Sequence, residues 1–212
     1  MGGFLLPKER QFRVRTHSIA HLLNSPIFQS RKAKGCAVNL ETLTMHWKSE
    51  VSNKKKPGSR IGLITNIIKR TRKNNTLRYL FVFRLAQYLN ARKGLFHVYA
   101  KRLERKINLK YGVDISIDAK IGPGFRIGHL PGIVITGHVQ IGRNFFIRQN
   151  TTIGIKTMGL PEYELKIGDN VSIGANSCII ADTLSIGDNV TIGAMSFVNK
   201  NIPEGATFYN AR

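Results

Sequence analysis

Aliphatic residues recur every six positions through the C-terminal half of the chain, and eight of them are followed directly by glycine. The first series is Ile115, Ile121, Ile127 and Ile133, and the count restarts after each of three breaks in phase. The later members are Ile135, Ile141, Ile147, Ile153, Ile167, Ile173, Ile179, Ile186, Ile192 and Val198. Because an α-helix returns to one face about every 3.6 residues, this longer period excludes a helix. The three breaks predict loops.

A six-residue repeat predicts a prism of short parallel strands, in which each turn adds one inward aliphatic side chain to each side. The stacked isoleucines would fill a continuous column with a spacing of about 4.8 Å. Glycine beside the inward residue lets the chain turn a corner, and the Gly-Asp-Asn sequences before Val171 and Val190 supply residues that tolerate positive φ. The pattern therefore predicts a mainly β solenoid domain over residues 114–212.

Between residues 60 and 113 the pattern is helical instead. Spacings of three and four predict two amphipathic faces, formed by Ile61, Ile64 and Ile68 and by Phe96, Tyr99, Leu103 and Ile107. Residues 77–90 are apolar around most of the helix circumference and are therefore predicted to be buried or apposed to a membrane. The second amphipathic segment is basic on its other side, as in helices that bind membrane surfaces.

Charge divides the chain at the same boundary. Residues 1–113 hold 25 Lys and Arg against 4 Asp and Glu, whereas residues 114–212 hold 8 against 8. Residues 1–59 carry weak structural signals and are expected to form a basic arm, flexible or loosely packed. Met45 is an alternative to Met1 as the start of translation. The predicted organisation is an arm over 1–59, basic helices over 60–113 and the solenoid over 114–212.

Composition also bears on compartment and partners. Cys36 and Cys178 form no motif, so neither a disulfide framework nor a thiolate metal site is predicted. The chain has no run of 18 apolar residues, and charge appears too early for a signal peptide, so we expect a cytoplasmic location. The basic clusters would gain roughly 1 kcal/mol for each cation near an anionic membrane surface, which suggests peripheral attachment to the inner face of the plasma membrane. Acidic polysaccharide is an equal alternative partner.

Several phrases in the solenoid resemble those of a known family: YGVDIS, IGHLPGIVI, VQIGRN, IRQNTTIG, IGDNVSIGAN and IGDNVTIGAMSFVNKNIPEGAT. They are similar to the serine acetyltransferase branch of the hexapeptide-repeat acyltransferases. The helices from about Leu77 resemble those of branch members that acetylate polysaccharides of the capsule or colanic acid type. The resemblance implies a left-handed parallel β-helix, although the usual crossover rule predicts the other hand.

The resemblance also implies roles for individual residues. His129 would be the general base, oriented by Asp114 from the neighbouring coil, with Glu164 as an alternative orienting acid. Acetyl-CoA would be the donor, bound in a groove between subunits of a homotrimer or of a dimer of trimers. Residues implied in binding it are Gly154, Ile155, Ala175, Ala194, Lys200 and Arg212, and those implied in binding the acceptor are Gln149 and Tyr163. A backbone amide just past Gly154 would hold the tetrahedral oxyanion.

Structural alternatives remain open for the catalytic candidates. His129 could be a corner residue, Asp114 the first residue of the coil, and Glu164 part of a solvated loop. Cys178 and Phe197 are expected to pack in or beside the column of isoleucines.

Two departures from the family pattern concern the acceptor. True serine acetyltransferases carry Asp where this chain has Gly128, and an Arg-His pair where it has Tyr163 and Glu164. A guanidinium binds an amino-acid carboxylate through two hydrogen bonds, which tyrosine cannot do. We therefore predict that acetyl passes directly, without a covalent intermediate, to a sugar hydroxyl of a surface or capsular polysaccharide or its precursor. Serine is the alternative acceptor.

Two other classes fit less well. A γ-class carbonic anhydrase shares the solenoid but needs three zinc-binding histidines, and residues 114–212 contain only His129 and His138. The basic half lacks stacking aromatics interleaved with an RNA-reading motif, so no nucleic-acid partner is expected. No metal is expected either. A non-enzymatic protein that binds polyanions is the second alternative to the enzyme.

Overall fold

The computed structural model of the protein describes residues 39–52, 60–92 and 94–210. The helices of this part of the chain are α1 (Leu40–Glu50), α2 (Arg60–Lys73), α3 (Asn75–Asn90) and α4 (Leu95–Tyr111). Asparagine caps begin α1 and α3, because the Asn39 and Asn74 side chains each accept a hydrogen bond from a backbone amide of the first turn. Gly112 ends α4 with a φ of 63°, in the left-handed region that glycine adopts most readily.

Helix α1 lies within residues 1–59, for which a loosely packed arm was predicted. It packs against α3: the Trp47 indole donates to the Phe81 carbonyl at 3.2 Å, and the two rings stack with centroids 4.5 Å apart. Leu43 is fully buried beside it. The sequence signal was weak because a helix of this length depends on tertiary packing rather than on propensity. Residues 1–38 and 53–59 of the predicted arm lie outside the described residues.

The buried sides of the other helices agree with the predicted faces in part. Helix α3 is buried as expected, with Tyr79, Leu80, Phe83, Ala86, Tyr88 and Leu89 all inside. Helix α2 buries Leu63 and Ile67, whereas Ile64 is exposed, so its face is shifted by one residue from the prediction. In α4 the predicted Ile107 is buried but Tyr99 is 57% exposed.

Short strands make up residues 114–208: β1 (Asp114–Ile115), β2 (Lys120–Ile121), β3 (Arg126–Ile127), β4 (Val134–Ile135), β5 (Val139–Ile141), β6 (Phe146–Ile147), β7 (Thr152–Gly154), β8 (Glu164–Ile167), β9 (Ser172–Ile173), β10 (Cys178–Ile180), β11 (Thr183–Ile186), β12 (Thr191–Ile192), β13 (Phe197–Val198) and β14 (Thr207–Phe208). Sheet A contains β1, β4, β7, β10 and β13; sheet B contains β2, β5, β8 and β11; sheet C contains β3, β6, β9, β12 and β14. All pairings are parallel. The chain therefore winds through three sheets in each turn, as a three-sided parallel β-helix.

The strand register stacks the inward aliphatic residues. Sheet A aligns Ile115, Ile135, Ile153, Ile179 and Val198, and each of these is at most 1% exposed. The equivalent stacks are Ile121, Ile141, Ile167 and Ile186 in sheet B and Ile127, Ile147, Ile173 and Ile192 in sheet C. Ile133, which the six-residue count placed in the column, is buried but precedes β4, so Ile135 takes that position.

Corners of the coil follow the predicted chemistry. Asn170 and Asn189 both have a φ of 58°, as the Gly-Asp-Asn sequences indicated. The side-chain amide of Asn144 donates to the Asn170 oxygen at 2.9 Å, and that of Asn170 donates to the Asn189 oxygen at 3.0 Å, so the corner residues form a ladder. Gly122 is required for a different reason: a Cβ there would lie 2.6 Å from the carbonyl oxygen of Gly142.

The breaks in the repeat are corner segments, at residues 128–132, at residues 155–163 and around Asp182. None interrupts a strand, so the additional residues leave the column intact. Cys178 and Phe197 differ from the prediction, because both begin strands with outward side chains and Phe197 is 50% exposed. Across the described helices, none combines the length and the apolar character needed to cross a membrane.

Arg84 joins the helices to the first turn of the β-helix. Its guanidinium is buried and contacts the Glu50 carboxylate at 2.6 Å from Nη2 to Oε1 and 3.0 Å from Nε to Oε2. It also donates to the carbonyl oxygens of Ile121 and Gly122, both at 2.8 Å. Glu50 in turn accepts from the amide of Phe125 at 3.2 Å. One ion pair therefore connects α1, α3 and the coil that carries His129.

Candidate active site

His129 lies in the corner segment between sheets C and A, in the first turn of the coil. The backbone of residues 128–132 is held in place by the amide of Gly132, which donates to the Gly112 carbonyl at 2.7 Å. Leu130 points into the protein and is 6% exposed, whereas His129 is exposed. The imidazole therefore stands outside the isoleucine column, where a base can meet a substrate.

Three other predicted residues follow His129 along the axis of the coil. The register of sheet C places the residues two positions beyond its inward isoleucines at one corner. These residues are His129, Gln149, Ala175 and Ala194, and we call this corner the His129 edge. Backbone hydrogen bonds hold its successive levels together, from Asn176 to Gln149 at 3.1 Å and from Met195 to Ala175 at 2.9 Å. The side chains become small away from His129, which leaves a shallow strip.

Gln149 presents an unsatisfied group on this strip. Its side-chain oxygen Oε1 is buried and has no hydrogen-bond partner among the described residues. A buried acceptor without a partner costs about 1–3 kcal/mol, which is recovered when a ligand or another subunit donates to it. The geometry therefore fits the role in acceptor binding that the sequence assigned to Gln149.

Asp114 borders the same edge from sheet A. It is the exposed first residue of β1, in register with Val134, and its amide donates to the Ile133 carbonyl at 2.8 Å. Within the described residues, no hydrogen bond joins its carboxylate to His129. The structure thus places Asp114 near the corner that carries His129 without forming a dyad in the single chain.

The remaining candidates lie at the opposite border of sheet A. We call the corner between sheets A and B the Gly154 edge; it carries Gly154, Ile155, Tyr163, Glu164 and Lys200. A Cβ at Gly154 would lie 3.0 Å from Cδ1 of Ile180, so this position is closely packed. The sequence-based expectation of Glu164 as the acid that orients His129 finds no support in the single chain, because the two residues lie at different corners.

Asp182 organises the loop after Gly154. Its Oδ1 accepts from the amides of Lys156 at 2.9 Å and Thr157 at 2.8 Å, and these hydrogen bonds lower the pKa of the Asp182 carboxyl. The amides of Lys156 and Thr157 are thus occupied. Of the amides just past Gly154, that of Ile155 is therefore the remaining candidate for the predicted oxyanion donor.

Tyr163 and Glu164 both have partners within their own segment. The Tyr163 hydroxyl accepts from the Leu160 amide at 3.0 Å and donates to the Thr157 carbonyl at 2.9 Å. Its ring contacts that of His138, with centroids 4.5 Å apart and the planes tilted by 42°. The Glu164 carboxylate pairs with Lys166, which lowers the pKa of Glu164. Both hydrogen bonds of the Tyr163 hydroxyl are therefore made within its own loop.

Sequence analysis missed a group of side chains beside His129. Phe146 of β6 lies under two guanidiniums, with its ring centroid 5.3 Å from Cζ of Arg126 and 5.5 Å from Cζ of Arg148. A Cβ at Gly128 would lie 3.5 Å from both Arg148 Cγ and Phe146 Cζ, so these side chains cover the residue before His129. The available signal was the placement of arginine directly before Ile127 and directly after Ile147, on the outward side of both strands.

Arg212, predicted to contact nucleotide phosphates, lies outside the described residues. In the part of the chain that the structure describes, no three His, Cys, Asp or Glu side chains are grouped as a metal site would require.

Comparison with known proteins identifies relatives of one kind. Serine acetyltransferase of Helicobacter pylori (strain ATCC 700392 / 26695) is 31% identical over 125 residues, which cover 49% of this chain and 70% of the relative. The chloroplastic serine acetyltransferase 1 of Arabidopsis thaliana is 34% identical over 85 residues, or 40% of this chain. The chain spans only 27% of that plant relative. No family model matches the sequence.

Solved structures share the fold. Serine acetyltransferase isoform 3 of Entamoeba histolytica, in complex with cysteine, superposes with a TM-score of 0.61 at 24% identity and covers 82% of this chain and 58% of its own. Soybean serine acetyltransferase complexed with serine gives a TM-score of 0.59 at 21% identity, covering 92% of this chain and 88% of its own. The predicted left-handed parallel β-helix, preceded by helices, is confirmed.

Sequence similarity to the Helicobacter pylori enzyme, at 31% identity, extends over 70% of that relative. The parallel β-helix of the described residues agrees with the fold of the two solved serine acetyltransferase structures. The chain belongs to the serine acetyltransferase family.

Proposed function

We propose that the protein is an acetyl-CoA-dependent O-acetyltransferase with His129 as its general base. The observation that carries this proposal is the exposed imidazole at one end of a strip whose far positions hold the small residues Ala175 and Ala194. Small side chains allow a thin chain such as the pantetheine arm of acetyl-CoA to lie close to the backbone. His138, the other histidine of the described β-helix, does not lie on this strip, because it stands between β4 and β5 with its ring against Tyr163.

The chemistry follows from these groups. His129 removes the proton from the acceptor hydroxyl as its oxygen attacks the thioester carbonyl, which is worth roughly 10²–10⁴ in rate. The amide of Ile155, from a neighbouring subunit, stabilises the negative charge that develops on the carbonyl oxygen. Collapse of the tetrahedral intermediate forms the ester and releases the thiol, which takes its proton from His129. Asp114 stabilises the imidazolium and selects the tautomer once the site is assembled.

The two edges meet if the protein is a homotrimer. Both border sheet A, so packing sheet A of one subunit beside the next places the His129 edge of the first against the Gly154 edge of the second. The outward side chains of sheet A include Val134, 36% exposed, and Phe197, 50% exposed, which an interface would bury. A groove formed in this way contains every described residue that the sequence assigned to acetyl-CoA.

Serine is the acceptor that the relatives support, since the matched proteins are named serine acetyltransferases. A sugar hydroxyl is the second candidate, and one observation favours it. The Tyr163 hydroxyl, at the position of the family's arginine, makes both of its hydrogen bonds within its own loop and cannot bind a carboxylate there.

Acceptor identity can be tested by supplying the full-length protein with acetyl-CoA and either L-serine or capsular oligosaccharides. We expect thiol release with L-serine, together with O-acetylserine detected by mass spectrometry. Release with oligosaccharide alone would assign the acceptor to sugars. If neither acceptor gives release above the rate of spontaneous hydrolysis, the proposed activity is wrong.

The outer face of helix α4 fits an anionic phospholipid bilayer. It exposes Leu95, Val98, Tyr99, Arg102, Arg105, Lys106, Leu109 and Lys110 and contains no acidic residue. Leu95 is 87% exposed and Leu109 is 75% exposed, so this face carries large apolar side chains among its basic ones. Apolar and basic side chains on one helix face are typical of helices that lie in the membrane interface.

Membrane binding predicts a specific loss in a double variant. We expect the protein to sediment with vesicles of phosphatidylcholine and phosphatidylglycerol but not with phosphatidylcholine alone. Leu95→Glu with Leu109→Glu should reduce binding at least about ten-fold, because burying each leucine contributes about 1.5–3 kcal/mol. Met158→Glu, at an exposed position in the loop after Gly154, is the matched control. Unchanged sedimentation of the double variant would show that α4 does not contact the membrane. Binding to acidic polysaccharide instead of vesicles would show that the basic residues recognise polysaccharide.

A further inference from the structure

The group formed by Arg126, Phe146 and Arg148 carries two positive charges beside the general base. Arg126 and Phe146 are partners across β3 and β6, and Arg148 follows one position after the inward Ile147. Both guanidiniums lie within cation–π distance of the one ring, a contact that favours this orientation of the two side chains. The three side chains therefore form a basic surface centred on the Phe146 ring.

Neither charge is neutralised. Among the residues that the structure describes, Arg126 and Arg148 make no ion pair with a carboxylate, whereas Arg143 on the same coil pairs with Asp169 at 3.0 Å. Residue 128, where a Cβ would lie 3.5 Å from Cγ of Arg148, is glycine in this chain and supplies no carboxylate. An external anion can therefore occupy this position.

The contact of Arg148 and Phe146 with Gly128 places these side chains close to His129. The stem of Arg148 and the ring of Phe146 lie at van der Waals distance from the position of a Cβ at residue 128, the residue bonded to His129. Successive strands are separated by about 4.8 Å, so Arg148 lies one strand spacing from the backbone that carries the imidazole. A hydroxyl held at His129 would thus place an anionic group of the same small molecule within reach of Arg148.

We propose that Arg148, supported by Phe146 and Arg126, binds a carboxylate of the acceptor and so selects acidic acceptors. This inference rests on the proposed function and specifies the acceptor class. The guanidinium fork matches a carboxylate through two parallel hydrogen bonds. Arg148, directly after β6, therefore supplies the carboxylate recognition that Tyr163 cannot provide. The carboxylate can belong to an amino acid or to a uronic acid, since both carry it close to a hydroxyl.

Binding can be measured without turnover. In the full-length protein, the Nε–Hε NMR signal of Arg148, assigned by its absence from Arg148→Lys, should shift saturably with L-serine or with methyl glucuronide. L-Serinamide and methyl glucoside keep the hydroxyl groups but lack the carboxylate, and we expect no shift with either. A shift with only one of the two carboxylates identifies the source. No shift with either, or an equal shift with the neutral analogues, would overturn the proposal.

Kinetics of active protein provide a second readout. Arg148→Gln should raise the KM for the carboxylate acceptor about ten-fold or more, as expected for the loss of a charged hydrogen bond, and leave the KM for acetyl-CoA unchanged. Arg143→Gln, which removes an exposed arginine paired elsewhere on the coil, is the matched control. A rise in the KM for acetyl-CoA instead would assign Arg148 to the nucleotide phosphates. Absence of transfer by the unaltered protein contradicts the proposed function, while the NMR titration still decides the role of Arg148.

A substitution at residue 128 tests the geometry directly. Gly128→Asp places a carboxylate beside Arg148, where a Cβ meets only ordinary van der Waals contacts at 3.5 Å. It should compete with the acceptor and abolish the shift of the Arg148 signal on titration. Gly128→Asn has the same shape without the charge and should retain the shift. Equal behaviour of the two variants would show that charge at this position does not control binding.

Discussion

Replacing His129 by alanine is expected to lower the rate of acetyl transfer by roughly 10²–10⁴, the contribution of a positioned general base. The variant should remain folded, because the imidazole is exposed and lies outside the isoleucine column. Thiol release from acetyl-CoA measures the first effect, and thermal unfolding followed by circular dichroism measures the second.

His97→Ala is the control for this experiment, since His97 is an exposed histidine on α4. We expect its transfer rate to equal that of the unaltered protein. If His129→Ala kept most of its activity, another group would have to act as the base and the assignment of the His129 edge would be lost.

Removing the charge of Glu50 should strongly destabilise the helical region. Glu50→Gln leaves the buried Arg84 guanidinium without its carboxylate, and breaking a buried ion pair in this way costs about 3–5 kcal/mol. The midpoint of unfolding by urea should fall accordingly. Glu162→Gln, at an exposed loop position, should change the free energy of unfolding by no more than about 0.5 kcal/mol.

Acidification should have the same effect as the substitution. Burial raises the pKa of the Glu50 carboxyl, but Arg84 and His46 outweigh it, so the pKa in the folded protein is below the ordinary value of 4.5. The folded protein thus holds the carboxylate ionised where the unfolded chain binds a proton. This contribution to stability is present above the ordinary pKa and is lost as the pH falls through the folded pKa.

Two outcomes would contradict this account of Glu50. The first is a loss below about 1 kcal/mol in Glu50→Gln, the range of an exposed ion pair. The second is an acid-unfolding profile that is identical in the variant and the unaltered protein. Combining Glu50→Leu with Arg84→Met should be less destabilising than Glu50→Gln alone, because no buried charge is then left unpaired.

The six-residue period was sufficient to predict the β-helix because one aliphatic residue per side is its packing rule. The same rule predicted the loops, since any other spacing would remove an isoleucine from the column. It failed locally at Ile133, because the buried positions 133 and 135 lie on either side of the exposed Val134 and each fits the six-residue count on one side of the break. Helix α1 was missed for the opposite reason, because its stability comes from Trp47 and Glu50 meeting partners 34 residues away along the chain.

Within the candidate site, the strip along the His129 edge follows from the sequence. Residues at one corner are separated in sequence by one full turn of the coil and by any residues inserted in that turn. The alignment of His129, Gln149 and Ala175 could therefore be predicted by counting residues. The hydrogen bonds of side chains could not be predicted from residue spacing. The hydroxyl of Tyr163, the pairing of Glu164 with Lys166 and the position of Arg148 over Gly128 depend on rotamers and on neighbouring turns.

Because insertions lie at the corners, the loops of a β-helix can change in sequence and length without disturbing its core. Residues 128–132 and 155–163 add length where one strand has ended and the next has not begun. New segments at these places alter what the surface recognises and leave the ladder of main-chain hydrogen bonds unbroken. A catalytic imidazole can therefore be inherited while the loops beside it are exchanged, which makes acceptor preference the most easily revised property of this architecture.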